Sequence, residues 1–128
     1  MSLFNRLRAA LPGGAGNAPQ KMYHAEEFPM IDHHQARQAQ QEGATLVDVR
    51  ELDEWQAGHA ADAVLHPVSA IASDPDIGLT ADTPIVTYCK AGARAERAAE
   101  LLKASGYDNV LAMAGGFDDW RAAGYPVA

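Results

Sequence analysis

Short apolar runs alternate with amphipathic stretches through most of this chain. The runs predicted as β-strands are 30–31, 45–49, 63–68, 84–88 and 110–113. Apolar residues at helical spacing, together with stop signals, predict helices over 2–10, 32–43, 51–57, 94–105 and 117–123, with 74–83 as a loop. Strands that alternate with helices pair in parallel through right-handed crossovers. The pattern therefore predicts an α/β fold with an open, mainly parallel sheet and helices on both faces.

The first 28 residues differ from the rest of the chain. Leu3, Phe4, Leu7 and Leu11 lie at helical spacing, and the composition then turns to Pro, Gly, Ala and Asn. We predict an amphipathic segment and flexible linker over 1–28, and one domain over 29–128. The segment either docks on the body, on a partner subunit or on a membrane surface, or is a frayed terminus. Membrane contact is not the favoured alternative.

Composition excludes several classes of protein. The 128 residues include 10 basic and 17 acidic ones, for a formal net charge of −7, and residues 26–128 hold only seven of the bases but all of the acids. This acidic balance argues against nucleic-acid binding.

Cys89 is the only cysteine, so an intramolecular disulfide and a cysteine-pair metal site are excluded. His33 and His34 diverge on a helix, so no metal is expected. No stretch reads as a membrane span or export signal, and we expect a cytoplasmic protein.

Cys89 carries the candidate chemistry. It follows the predicted strand 84–88, and sites in open parallel sheets gather at the carboxyl ends of strands. The amides and dipole of the following helix, with Lys90 and Arg94, favour the reactive thiolate. The small residues between them, which let backbone N–H groups surround one anionic atom, are Ala91, Gly92 and Ala93. The alternative is a buried cysteine that acts as a small hydrophobe.

Three segments in this order resemble a known family. They are Leu46-Val47-Asp48-Val49-Arg50-Glu51 with Glu54, Trp55 and Gly58-His59; Tyr88-Cys89-Lys90-Ala91-Gly92-Ala93-Arg94; and Gly115-Gly116-Phe117 through Trp120 to Gly124-Tyr125-Pro126-Val127. Over 29–127 the chain resembles a single-domain rhodanese, a sulfurtransferase. The resemblance implies that Cys89 takes sulfane sulfur as a persulfide. It also implies that residues 90–94 bind the substrate and that Arg94 holds both the loop and an anionic donor.

The lone cysteine shapes the expected mechanism. A persulfide on Cys89 has no second cysteine to resolve it, so its outer sulfur must leave to an external nucleophile. The expected partners are a small sulfur donor such as thiosulfate and an acceptor that is cyanide, a thiol or a protein. No cofactor or metal is required, and the oligomeric state is left open.

Two other functions compete with sulfur transfer. A non-catalytic module of the same family would bind partners or sense oxidants through Cys89. A phosphatase is less favoured, because Arg94 lies five positions after Cys89, one fewer than in the phosphatases of related fold. The shorter loop suits one sulfur atom better than a phosphoryl group.

Some positions depart from the family pattern or have a structural interpretation. Ala91 and Ala95 stand where many members carry Ser or Thr, and residues 60–63 replace the usual turn sequence. A charge relay of Asp48, Arg50 and Glu54 is possible, but structural hydrogen bonds or ion pairs are the favoured interpretation. The residues expected to serve packing or a tight backbone approach are Trp55, Trp120, Gly115 and Gly116.

Overall fold

The computed structural model describes residues 3–10 and 30–128. The strands are β1 (Met30–Ile31), β2 (Thr45–Asp48), β3 (Val64–Leu65), β4 (Ile85–Tyr88) and β5 (Val110–Met113). The helices are α1 (Leu3–Ala10), α2 (His33–Gln41), α3 (Leu52–Gln56), α4 (Val68–Ser73), α5 (Ala93–Ala104) and α6 (Phe117–Ala122).

The strands form one five-stranded sheet in the order β1-β5-β4-β2-β3, and every pair is parallel. The predicted open α/β architecture is confirmed. Strand β4 is central, and Asp48 at the end of β2 lies in register with Tyr88 at the end of β4. The residues that follow these two strands are therefore brought together at one edge of the sheet.

The two faces of the sheet carry separate hydrophobic cores. Val86 and Tyr88 of β4 contribute to the core under α1, α2 and α6. Ile85 and Cys89 contribute to the other core, under α4 and α5. This division follows from the two-residue repeat of a strand, which sends neighbouring side chains to opposite faces.

Most predicted elements are confirmed, but one strand was predicted too long and helix α4 was not predicted. The capping box that opens α2 is present, because the Gln35 amide donates to Asp32 Oδ1 at 2.7 Å and the Asp32 amide donates to Gln35 Oε1 at 2.9 Å. The strand predicted over 63–68 was wrong in extent. It ends at Leu65, and helix α4 begins at Val68 immediately after Pro67. Pro67 is the N-cap of α4 and lacks the N–H that would continue the β-ladder.

Helix α1 packs on the body of the protein. Phe4 is only 3% exposed and joins the core that includes Ala36 and Ala39 of α2. The Leu3 amide donates to Glu42 Oε1 at 2.7 Å. Docking on the body is thus the alternative that the structure supports for residues 3–10. The predicted linker lies outside the described residues, and the boundary at 28 stays a prediction. None of the described helices is long and apolar enough to cross a membrane.

Candidate active site

Cys89 lies immediately after β4 with its thiol under the loop that follows. The residue is 1% exposed and is not disulfide-bonded. Its Sγ accepts a hydrogen bond from the Gly92 amide at 3.0 Å and a longer one from the Ala95 amide at 3.4 Å. Both donors are backbone groups at the start of α5, so the sulfur faces the positive end of that helix. Ala95 lies one residue beyond the loop that was predicted to surround the sulfur.

Gly92 gives the loop its turn toward the sulfur. It is the N-cap of α5 and has a φ of +109°, in the left-handed region. Side chains rarely adopt that backbone conformation, whereas glycine does so freely. A Cβ at this position would make only ordinary contacts, so the backbone conformation is the reason for glycine. Glycine here lets the amide of residue 92 aim at Cys89 Sγ.

Gly116 holds the backbone of the loop from the opposite side. The Phe117 amide, at the start of α6, donates to the Cys89 carbonyl at 2.9 Å. A Cβ on Gly116 would lie only 1.9 Å from the Lys90 carbonyl oxygen. The close backbone approach expected of the Gly115-Gly116 pair is confirmed, and its partner is the peptide that follows the candidate nucleophile.

Arg94 is tied to Glu54 on α3. Its Nη1 and Nη2 donate to the two carboxylate oxygens of Glu54 at 2.7 and 3.0 Å, and about a third of each side chain is exposed. Hydrogen bonding to Arg94 lowers the pKa of Glu54 to about 2, so the carboxylate is charged at any ordinary pH. This pair was not predicted from the sequence. The signal that could have found it is the neighbouring position of β2 and β4, which places the segments after them side by side.

Asp48 and Arg50 form a separate buried pair. Arg50 Nη2 lies 2.7 Å from Asp48 Oδ2 and donates to the Gly58 carbonyl at 2.7 Å. The Arg50 guanidinium also lies 4.7 Å from the centre of the Phe117 ring. Glu54 is not hydrogen-bonded to this pair, so no three-residue relay is formed. The favoured structural interpretation of Asp48 is confirmed.

Tyr88 anchors the neighbouring turn. Its hydroxyl accepts a hydrogen bond from the Ala60 amide at 3.0 Å. Burial, followed by the nearby charge of Asp48, raises the pKa of Tyr88, so the side chain remains a neutral phenol. Residues 58–60 are thus held to the sheet beside the candidate site, although residues 60–63 depart from the family sequence.

The predicted packing aromatics behave differently from each other. Trp120 is 1% exposed and lies in the core. Trp55 is half-buried and stacks on His59, with ring centres 3.4 Å apart. Both contacts support a packing interpretation.

A shallow pocket of about 200 Å³ opens beside the loop. Its lining is formed by Arg50, Glu54, Ala57, Gly58, Lys90, Phe117, Asp118 and Arg121. Lys90 is exposed, as are Ala91 and Ala93 of the predicted cradle. Cys89 does not itself line the pocket, and Lys90 is the residue of the loop that does.

Both described hydrogen bonds to Cys89 Sγ come from the backbone. Ala91 and Ala95 supply no hydroxyl, and the Thr87 hydroxyl is engaged with the Ala95 carbonyl at 2.8 Å. Any anion formed on the sulfur is therefore held by amides. Within 3–10 and 30–128, no cluster of three or more His, Cys, Asp or Glu side chains is placed to hold a metal ion.

Comparison with models of known protein families identifies the family of this chain. The family model described as the rhodanese-like domain matches residues 32–123, which is well over half of the chain. The chain belongs to the rhodanese-like domain family. The match begins after β1 and α1, and it includes every residue of the Cys89 loop.

Curated relatives of this rhodanese-like domain are named as sulfurtransferases. "Thiosulfate sulfurtransferase GlpE" from Pseudomonas savastanoi pv. phaseolicola is 35% identical over 103 residues, which cover 78% of this chain and 92% of the relative. The protein of the same name from Pseudomonas putida is 36% identical and covers 78% of this chain and 90% of its own. The rhodanese-like domain thus accounts for nearly the whole length of these relatives.

Solved structures support the same fold. A rhodanese-related protein from Thermoplasma volcanium has a TM-score of 0.70 and 29% identity, and covers 79% of this chain and 98% of its own. The rhodanese-like domain of an Anabaena protein has a TM-score of 0.71 at 24% identity and covers 78% of each chain. The second likeness bears on the fold alone.

Proposed function

We propose that this rhodanese-like domain is a sulfurtransferase that moves sulfane sulfur from a donor such as thiosulfate to a thiophilic acceptor, through a persulfide on Cys89. The observation that carries the proposal is the convergence of the Gly92 and Ala95 amides on Cys89 Sγ. This arrangement suits a sulfur atom that bears negative charge before and after reaction. The names of the curated relatives give independent support.

The first half-reaction loads the cysteine. The Cys89 thiolate attacks the terminal sulfur of thiosulfate, a new S–S bond forms, and the S–S bond of the donor breaks. The bonding electron pair leaves with sulfite. Cys89 then carries a persulfide anion, whose charge the Gly92 and Ala95 amides stabilise without help from a side-chain hydroxyl.

The second half-reaction removes the outer sulfur from the Cys89 persulfide. The chain has no second cysteine, so the outer sulfur passes to an external nucleophile. Cyanide attack gives thiocyanate, attack by a small or protein thiol gives a new persulfide, and either reaction restores the Cys89 thiolate. Neither half-reaction calls for a cofactor or a metal.

The remaining loop residues support Cys89 in different ways. Lys90 offers an exposed positive charge to an incoming anion. Arg94 is a positioning residue in this proposal, because Glu54 holds its guanidinium and so ties the loop to α3. Ala91 and Ala93 have small side chains and Gly92 has none, which leaves room for the backbone to turn around the sulfur.

Intact-mass measurement tests the proposal. The full chain and the Cys89→Ser variant are incubated with thiosulfate, with and without cyanide. We expect a gain of about 32 Da in the wild type only, removed by cyanide with release of many equivalents of thiocyanate. A thiol sensor would react once per protein, and a phosphatase would instead cleave a phosphate ester and be inhibited by vanadate. Sulfur transfer by Cys89→Ser would refute the proposal.

A further inference from the structure

One buried hydroxyl lies directly behind the Cys89 loop. Thr87 belongs to the central strand β4, two residues before Cys89, and is fully buried. Because alternate residues of a strand point to the same face, the Thr87 side chain points with Cys89 toward helix α5. Its hydroxyl donates to the Ala95 carbonyl at 2.8 Å. A side chain of the strand is therefore hydrogen-bonded to the first turn of the helix whose amides face the sulfur.

The hydrogen bond distinguishes Thr87 from an apolar residue of the same shape. The core on this side of the sheet is apolar and includes Ile71, Ile85 and Ala98. A hydroxyl buried among such side chains costs free energy unless it is hydrogen-bonded. Valine has nearly the same shape as threonine and suits a strand equally well. What threonine adds at this position is the bond to Ala95.

That bond is connected to both donors of the sulfur. Ala95 carries one donor at its own amide, 3.4 Å from Cys89 Sγ. The peptide group whose carbonyl accepts from Thr87 ends in the Glu96 amide, which donates to the Gly92 carbonyl at 2.9 Å. Gly92 carries the other donor, 3.0 Å from the sulfur. Hydrogen bonds that share a peptide group strengthen each other, so one hydroxyl on β4 helps to hold both donors.

We propose that Thr87 is a positioning residue for sulfur transfer, whose hydroxyl holds the first turn of α5 at the distance from β4 at which the two amides reach Cys89 Sγ. The inference rests on the proposed function, because it names a further residue on which the persulfide site depends. Positions 91 and 95 supply no hydroxyl in this chain. The placement of the amides therefore decides how well a charge on the sulfur is stabilised.

Three substitutions separate the hydroxyl from the shape of the side chain. Thr87→Val keeps the shape and removes the donor, whereas Thr87→Ser keeps the donor and removes the methyl group. Thr45→Val is the matched control, because Thr45 is half-buried on the neighbouring strand β2 and lies at the opposite end of the sheet from Cys89. Thiocyanate formation from thiosulfate and cyanide, together with urea unfolding, is measured for the full chain and each variant.

Alkylation of Cys89 gives a readout that does not depend on sulfur transfer. Iodoacetamide is uncharged and reacts with the thiolate, and Cys89 is the only cysteine of the chain. Amides that are well placed on the sulfur favour the thiolate. Loosening them should therefore slow alkylation where the thiol form is abundant and have little effect where all of the sulfur is thiolate. The second-order rate constant is measured from about pH 5 to about pH 10.

We expect Thr87→Val to lower kcat about tenfold, with a change of less than about twofold in the KM for thiosulfate. Alkylation of this variant should be about threefold slower near pH 6 and equal to the wild type near pH 10. Thr87→Ser should keep both rates within about twofold, and Thr45→Val should match the wild type. Unfolding of Thr87→Val should change little, because the Ala95 carbonyl keeps its hydrogen bond within the helix.

Two results would overturn the inference. One is a Thr87→Val variant with wild-type kcat and alkylation rates. The other is an equal loss in Thr87→Val and Thr87→Ser, because the shape of the side chain and not its hydrogen bond would then matter. If the wild type itself transfers no sulfur, the proposed function fails. The alkylation rates then still decide whether Thr87 positions the amides, because an unchanged rate in Thr87→Val rejects that role and a slower rate near pH 6 supports it.

Discussion

Arg94 and Glu54, which lie 40 residues apart in the chain, are joined by two hydrogen bonds that connect the Cys89 loop to helix α3. The contact places the Glu54 carboxylate directly against the Arg94 guanidinium. It thus fixes the loop and at the same time reduces its positive charge.

Replacing Glu54 by Gln separates these two effects. The Glu54→Gln variant keeps the side-chain shape but frees the charge of Arg94, so we expect the KM for thiosulfate to fall about threefold. The loop loses a charge-assisted tie, and kcat should fall several-fold. Stability should drop by less than about 1 kcal/mol, because both side chains are partly exposed. Steady-state thiocyanate formation and urea unfolding measure these changes.

Asp53→Asn is the matched control for that substitution. Asp53 lies on the same helix, carries the same charge and is exposed, but it makes no side-chain hydrogen bond to Arg94. We expect its kinetic constants to remain within a factor of two of the wild type. Equal changes in both variants would mean that the general charge of α3, and not the Arg94 contact, controls donor binding.

The Arg94–Glu54 pair also predicts how the stability of the protein depends on pH. Hydrogen bonding to Arg94 lowers the pKa of Glu54 to about 2 from an ordinary value of 4.5. A lowered carboxyl pKa contributes stability that is complete above the unfolded value and is lost as pH falls through the folded value. The stability difference between wild type and Glu54→Gln should therefore be constant above about pH 5 and shrink toward pH 2. Urea unfolding at pH 7, 4 and 3 measures it. A difference that did not vary over this range would contradict the assignment.

Strong periodicity made some parts of the fold predictable. Helix α5 buries Ala95, Ala98, Ala99 and Leu102 on the expected face. The same apolar pattern located β4 and thereby Cys89 at its carboxyl end. Helix α4 was missed because it is six residues long and buries only Ile71, too few positions to show a helical repeat.

Contacts between distant segments were less accessible to sequence reasoning. Structural hydrogen bonds or ion pairs were expected for Asp48, and the structure pairs it with Arg50, only two residues along the chain. The Glu54–Arg94 pair depends instead on the order of β2 and β4 in the sheet. A repeat of residue types along the chain contains no information about that order. For Gly116, the need for a small residue was apparent, but its partner Lys90 was not.

Phe4 provides a test of the contribution of helix α1. The ring is almost fully buried against the core shared with α2, and we expect Phe4→Ala to reduce the free energy of unfolding by about 2 kcal/mol. We set the expected loss below the usual range for a buried phenylalanine because a single peripheral helix can open locally without unfolding a whole domain. Persulfide formation on Cys89 should be unchanged. Urea unfolding and intact mass measure the two effects. Phe4→Leu, which keeps an apolar side chain, should lose less, and equal losses would argue against a buried position.

The contact between Gly116 and Lys90 predicts that a side chain at position 116 lowers both activity and stability. Gly116→Ala would place a Cβ 1.9 Å from the Lys90 carbonyl oxygen, and neither backbone can move without shifting Cys89. We expect at least a tenfold loss of kcat/KM together with about 1–3 kcal/mol of stability. Gly78→Ala is the control, because its Cβ meets open space and only its positive φ of +79° is strained. That variant should lose about 1 kcal/mol and keep full activity. If Gly116→Ala were as active as Gly78→Ala at matched stability, the turn before α6 would not position the loop.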